Sequence, residues 1–344
     1  MNIEKQILEY LKLNTDSSSS SILEGINSDK SLATLKRVLT NLITERLIET
    51  IGKGKSTKYR LSQYFKLFEN TDINTYYSKE IDEREIKETF DISIIQDLLP
   101  NVDLLLQSEN LKLEGLQNEY SKNISELTKN EYNKELERLA IDLSWKSSQI
   151  EGNTYSLLET ERLIKEKEVA QGKSKEEATM LLNHKDALDF IIDNPDYLFP
   201  LSLSKIEDIH SILIKDLGID RNIRKRRVGI SGTNYKPLEN EFQIKEALTS
   251  VCDLINGKSN VFEQALLALI LISYIQPFSD GNKRTARIVS NAILINQKTC
   301  PISFRTVDSI DYKKAMLLFY EQNNITVFKQ IFIDQFKFAV KTYF

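Results

Sequence analysis

Twelve consecutive residues, Gln276-Pro277-Phe278-Ser279-Asp280-Gly281-Asn282-Lys283-Arg284-Thr285-Ala286-Arg287, bring together a turn, a carboxylate, an amide and three cations. The run before them, Ala265 to Ile275, is almost wholly apolar and reads as a buried helix. Pro277 ends that helix, and Asp280-Gly281-Asn282 supplies turn chemistry. From Arg284 to Gln297 the apolar residues Ile288, Val289, Ala292, Ile293 and Ile295 recur at helical spacing. The cations therefore fall on the first turns of a helix, the wrong end of the dipole for positive charge unless an anion joins them. Backbone N–H groups at Gly281 and Asn282, flanked by Lys283, Arg284 and Arg287, would cradle phosphates. Asp280 beside them would hold the Mg²⁺ that accompanies a polyphosphate. This is the chemistry of a nucleotide-phosphate site.

The same string closely resembles the signature of the Fic family, His-Pro-Phe-x-Asp-Gly-Asn-Gly(or Lys)-Arg-x-x-Arg, and eight of its nine specified positions agree. The resemblance implies a motif that binds Mg·ATP and moves AMP onto a hydroxyl side chain of a target protein. It gives Asp280 the metal, Gly281, Asn282, Lys283 and Arg284 the α- and β-phosphates, and Arg287 the γ-phosphate. Phe278 would anchor the loop in the core. The ninth position differs: Gln276 stands where the family has its catalytic histidine. Glutamine can hydrogen-bond an attacking hydroxyl but cannot take its proton, and loss of such a base costs on the order of 10²- to 10⁴-fold in rate. The positioning and charge-stabilising parts on which phosphoryl-type transfer depends are retained. His184 and His210 lie in helical patterns and resemble packing positions, so neither is expected to substitute.

Two further elements extend the resemblance. Ser147-Ser148-Gln149-Ile150-Glu151-Gly152-Asn153 matches the Fic autoinhibitory pattern [Ser/Thr]-x-x-x-Glu-[Gly/Asn] and follows an amphipathic stretch with Leu136, Leu139, Ala140 and Leu143. The expectation is a pair between Glu151 and Arg287 that occupies the cation meant for the γ-phosphate, with Ser147 preceding it and Gly152 ending the helix. In some such proteins the same glutamate orients water for removal of AMP, so the reverse reaction stays open. Between the two motifs, Asn222 to Pro237 has β-type residues punctuated by Gly229 and Gly232 and reads as a short hairpin. In Fic domains such a flap holds the target segment by main-chain pairing, which assigns Val228, Gly229, Ile230 and Ser231 to target binding. The basic run Arg224 to Arg227 beside it is either a solvated surface run or a nucleic-acid contact.

These motifs sit in a chain of 344 residues, 41% hydrophobic and 28% charged, with a net charge of −4. The length suits about two domains, and the overall charge makes no case for nucleic acid. Cys252 and Cys300 suggest neither a disulfide framework nor a metal centre, as in a reducing compartment. The start, Met-Asn-Ile-Glu-Lys-Gln, has no apolar signal region. The longest apolar run is too short to span a bilayer. A cytoplasmic protein with no membrane partner is expected.

Residues 1–63 read as a separate unit. Ile3, Ile7, Leu8 and Leu11 mark one helix, the serine run Ser17 to Ser21 precedes a second over Ile22 to Ile26, and Ser31 to Leu47 has the spacing of a third. Two short β-type segments around a basic glycine turn follow, through Ser62. Helix, helix, helix, hairpin resembles a winged helix-turn-helix domain. Ser31, Thr34 and Arg37 would face outward from the third helix, and Lys53, Lys55, Lys58 and Arg60 would lie on the wing. Between Lys30 and Arg60 stand eight Lys or Arg against two Glu, which places positive charge where DNA would sit. Winged helices also serve as protein-interaction or homodimer modules.

Residues 64–134 are polar and mostly helical in pattern with a break at Leu99-Pro100, a connector into the core spanning 135–344. The expected fold is mainly α, a Fic-type helical bundle with a β-hairpin flap and a small N-terminal winged helix. Two functions follow. One is an ATP- and Mg²⁺-dependent protein adenylyltransferase, autoinhibited by Glu151 and weakened at Gln276, acting on a target hydroxyl or on itself. The other is a non-catalytic, nucleotide-sensing, DNA-binding regulator.

Overall fold

A computed structural model describes residues 2–344; the side chain of Lys55 lies outside the described residues. The chain is mainly helical and divides into two compact units, one of residues up to Thr71 with Gln322–Thr326, the other of Asp72–Glu321 with Val327–Phe344.

The N-terminal unit begins with α1 (Ile3–Leu13), α2 (Ser19–Gly25) and α3 (Leu32–Thr44). Asn2, Ser18 and Ser31 cap them, each side chain accepting a backbone N–H of the first turn. Strands β1 (Ile48–Ile51) and β2 (Lys58–Leu61) pair antiparallel in the register Ile48↔Leu61 to Ile51↔Lys58, and α4 (Gln63–Phe68) follows. The core of this unit is Ile7, Leu11, Ile22, Leu35, Val38, Leu39, Leu42, Ile48 and Leu61.

The second unit contains α5 (Ile73–Tyr77), α6 (Gln107–Glu126), α7 (Lys129–Ile150), α8 (Leu157–Glu166), α9 (Lys175–Asp193), α10 (Leu203–Leu213), α11 (Glu241–Gly257), α12 (Val261–Ile275), α13 (Asn282–Asn296) and α14 (Ser309–Gln322). It closes with most of α15 (Thr326–Tyr343). Helix α12 is the axis of the bundle: every residue from Ala265 to Ile275 is buried. A helix apolar on all faces must be enclosed on all faces, and α11 and α13 supply two of its walls.

One expectation is corrected here. The segment 222–237 is an irregular loop rather than a hairpin, and among the described residues the two-stranded sheet is β1–β2. The cause is Arg224. Its guanidinium donates to the carbonyls of Gln276 (2.6 Å), Arg226 (2.9 Å) and Leu238, and its backbone N–H donates to Pro277 O (3.0 Å). A side chain thus takes carbonyls at both ends of the loop and ties them to the motif. Arg224 is buried, so the basic run is not wholly solvated. Between Ser78 and Leu106 the connector carries only short helical pieces, 3₁₀ turns at Ile81–Glu83 and Leu99–Asn101 and a π-helical turn at Ile94–Leu98. Residues 88–90 instead pack along the loop and core: Lys236 N donates to Glu88 O (2.7 Å), and Phe90 stacks on Tyr274 at 4.8 Å.

Glu263, 2% exposed, accepts the N–H groups of Leu104 (2.6 Å) and Leu105 (3.3 Å) and pairs with Lys258 (3.3 Å). Glu263→Ala would strand these donors next to α12. We expect a loss of about 3 kcal/mol, read as an earlier unfolding midpoint in urea.

Candidate active site

The loop between α12 and α13 is built by its own side chains. Gln276 caps α12 in the left-handed region (φ 52°, ψ 59°), which turns the chain out of the helix before Pro277. The Asn282 amide then staples the turn from within: its Oδ1 accepts Phe278 N–H (2.8 Å), and its Nδ2 donates to Phe278 O (2.9 Å) and Gln276 Oε1 (3.0 Å). The Gln276 amide donates in turn to Ser273 O (2.7 Å) and, at 3.4 Å, to the Tyr320 hydroxyl. Phe278 is fully buried and stacks on His210 with ring centroids 3.6 Å apart and planes within 3°. His210 also sets Nε2 3.0 Å from Asp280 O and Nδ1 3.3 Å from Arg221 O, so its packing role fixes the loop itself. A neutral imidazole donates to only one of these carbonyls. Burial lowers the His210 pKa, which keeps the ring neutral. Gly281 has φ +80°, and a Cβ there would lie 3.4 Å from both the His210 ring and Ile214. It is the conformation that requires glycine.

The motif cations divide into an outer and an inner set. Lys283 lines a cleft of ≈ 330 Å³ together with Glu151, Val228, Gly229, Ile230, Ser231, Gln276, Asp280 and Asn282. Ser279, Lys313, Met316 and Leu317 complete the lining. The last three project from α14 at helical spacing. Only the topology brings them across the loop. Arg284 (1% exposed) and Arg287 (0%) lie beneath the cleft floor. Arg284 Nη2 pairs with Asp280 Oδ2 at 3.0 Å, while its Nε and Nη1 are buried without a partner. Asp280 is 61% exposed at its side chain and also accepts Gly281 N–H (2.6 Å).

Arg287 is held from α7. Its Nε donates to Ser147 Oγ (2.8 Å), and Nη2 to Ser147 O (3.0 Å) and Glu151 Oε1 (3.0 Å). Glu151 Oε2 meets Lys283 Nζ at 3.4 Å. The glutamate is the C-cap of α7, where the helix dipole disfavours a carboxylate, and Gly152 (φ +103°) turns the chain away after it. Burial pushes the Glu151 carboxyl up, but Lys283, Arg287 and Arg284 outweigh it and hold the group below the usual carboxylate range. His184, on α9, is buried with neither ring nitrogen partnered; burial and the two arginines keep it neutral.

The candidate nucleic-acid residues lie in the other unit. Ser31 and Thr34 hydrogen-bond each other at the start of α3 (3.0 Å), while Arg37, Lys53 and Lys58 are exposed. Arg60 pairs with Glu49 at 2.5 Å, and Lys55 falls outside the described side chains.

Because the Glu151 pKa is lowered on folding, its contribution to stability is present above the unfolded value of 4.5 and is lost as pH falls through the folded value. The gap in Tm between the wild type and Glu151→Gln should be constant between about pH 6 and 8 and close in acid. Thermal unfolding across that range measures it, and a gap that changes near neutrality would point to a different titrating partner.

Comparison with known proteins agrees with this geometry. The profile of the Fic/DOC family matches residues 200–294, from the start of α10 through most of α13. A protein adenylyltransferase Fic of Nematostella vectensis is 30% identical over 173 residues, 48% of this chain and 40% of that protein. Protein adenylyltransferase fic-1 of Caenorhabditis elegans is 28% identical over 175 residues, 48% of this chain and 34% of that one. The chain thus spans well under half the length of these curated relatives. Among solved structures, residues 134–508 of C. elegans Fic-1 superpose with a TM-score of 0.59 at 21% identity, covering 69% of this chain and 72% of that one. A Fic domain containing signaling protein from Bacteroides thetaiotaomicron gives 0.57 at 21% identity, covering 67% and 95%. The motif loop and the α13 arginines lie within the segment 200–294 that matches the Fic/DOC family.

Proposed function

We propose that this chain is an adenylyltransferase-type Fic protein, held back by Glu151 and attenuated at Gln276. One observation carries the reading: the Glu151 carboxylate occupies Arg287 and Lys283 at the edge of a cleft that also presents Asp280 and the α13 N-terminus. A carboxylate on two cations there stands where a phosphate would be recognised. The unpartnered Nε and Nη1 of buried Arg284 support a missing anion of the same kind.

In the reaction proposed, a target hydroxyl attacks the α-phosphorus of ATP. The new P–O bond forms as the bond to the β-phosphate breaks, and pyrophosphate leaves. Arg284 would hold the phosphates whose charge builds up. Asp280 fits the accompanying Mg²⁺, because its exposed carboxylate can serve as the single protein ligand where phosphate oxygens supply others. When bound, that ion neutralises polyphosphate charge. Val228 to Ser231 have no backbone hydrogen bond among the described residues, which leaves them free to pair with an extended target segment. With no base at Gln276, the hydroxyl proton passes to solvent water, which makes the step slow.

The test is transfer of AMP from α-labelled ATP with Mg²⁺ in a Glu151→Gly background. Gln276→His should label target or self on the order of 10²-fold more than the glutamine form. Equal labelling would show that glutamine is tolerated, and none in either form, with nucleotide still bound, would sink the transferase reading.

A second reading has its own support. Both polar atoms of the Gln276 amide are engaged, with Ser273, Tyr320 and Asn282, which suits a nucleotide-sensing regulator that binds DNA through a winged N-terminal unit. Fluorescence anisotropy with duplex DNA should then show binding that weakens steeply with salt and weakens further in Arg37→Ala and Lys53→Ala. Absent or salt-independent binding would leave that unit as a protein-interaction or homodimer module.

A further inference from the structure

We propose that Arg84, on the irregular connector, is a positioning residue for the cleft loop 228–231. Its guanidinium is 3% exposed and works in two directions. Nη1 meets both carboxylate oxygens of Glu321, at 3.1 and 3.2 Å, and Nη2 donates to Gly232 O at 2.9 Å. Gly232 directly follows Ser231, which lines the cleft, and its φ of +87° makes it the turning point of the loop. A Cβ at Gly232 would lie 3.5 Å from Leu317, another cleft residue. Arg84 therefore fixes one carbonyl at the junction between the loop and the α14 wall.

The other end of the pair reaches the motif. Glu321 is 0% exposed and follows Tyr320, whose hydroxyl meets Gln276. Tyr76 donates to Glu321 Oε2 (2.8 Å), and Arg84 lies 4.9 Å from the Tyr77 ring centre. A buried ion pair is a poor device for stability alone, since apolar residues of similar size commonly do as well or better. What an apolar pair cannot supply is the donor to Gly232 O. That arm, one residue from the cleft, is what the buried charge provides.

The consequence for target docking rests on the proposed function; the restraint itself does not. With Cys252 and Cys300 buried, a nitroxide can be placed on the full chain at Ser231→Cys alone. The informative background is Arg84→Met with Glu321→Leu, which removes the charge pair together. We expect a Tm no lower than that of the parent and loss of the immobilised component of the nitroxide spectrum. Arg84→Lys keeps a charge beside Glu321 but loses the forked reach, and carries the same expectation if the apolar pair does not fold. A label as immobile as in the parent, in either folded variant, overturns the proposal. In a Glu151→Gly, Gln276→His chain, the same substitutions should raise KM for whichever protein is labelled and leave Mg·ATP affinity, by calorimetry, unchanged. A parallel loss of Mg·ATP affinity would make Arg84 merely structural. If that chain neither labels nor binds nucleotide, the functional reading fails while the nitroxide result still decides the role of Arg84.

Discussion

A guanidinium fully removed from water must be answered by negative charge or hydrogen-bond acceptors, and this domain buries two of them at the start of one helix. Arg287 is answered from α7, by the Ser147 hydroxyl and carbonyl and by Glu151. Arg284 is answered once, by Asp280, and keeps two nitrogens without partners. Leaving charge half satisfied in a low-dielectric setting costs several kcal/mol, which a bundle centred on an apolar α12 can sustain. The asymmetry orders the site: Arg287 makes three bonds to α7 and leaves only Nη1 unpartnered, whereas Arg284 makes one and leaves two nitrogens unpartnered.

The remaining contacts keep that asymmetry in place. Asn282 and Gln276 brace the loop from inside, the Phe278–His210 stack braces it from below, and Arg224 ties the neighbouring segment to Gln276 O and Pro277 O. Each bond by itself is modest. Together they leave the backbone between Phe278 and Asn282 few alternatives, so the donors at the α13 N-terminus hold a fixed arrangement.

Much of this was legible in the sequence because the motif is contiguous: turn residues, cations and the apolar helices around them occur in one stretch. The Ser147–Glu151 spacing, one helical turn, was legible too, since it sets both residues on the same face of α7. The wall contributed by Lys313, Met316 and Leu317 was not, because helical spacing shows which residues share a face and not which loop that face meets. The hairpin expected at 222–237 failed for a related reason. Gly and β-type residues indicate a capacity to pair, but the buried Arg224 takes the carbonyls at the loop's two ends, and no local pattern marks one arginine of three as the buried one. His210, expected to pack, does pack, against the motif phenylalanine.

The bonds of Gln276 bear on how such a domain could change over generations. An amide at this position bonds to Ser273, Tyr320 and Asn282, so glutamine is itself part of the packing that holds the loop. Selection that acts through unfolding and degradation acts on variants that fall below a stability threshold. An exchange that removes a proton acceptor and leaves the scaffold intact does not cross it. Under the proposed function, catalytic competence and stability of the fold are thereby separable at a single residue.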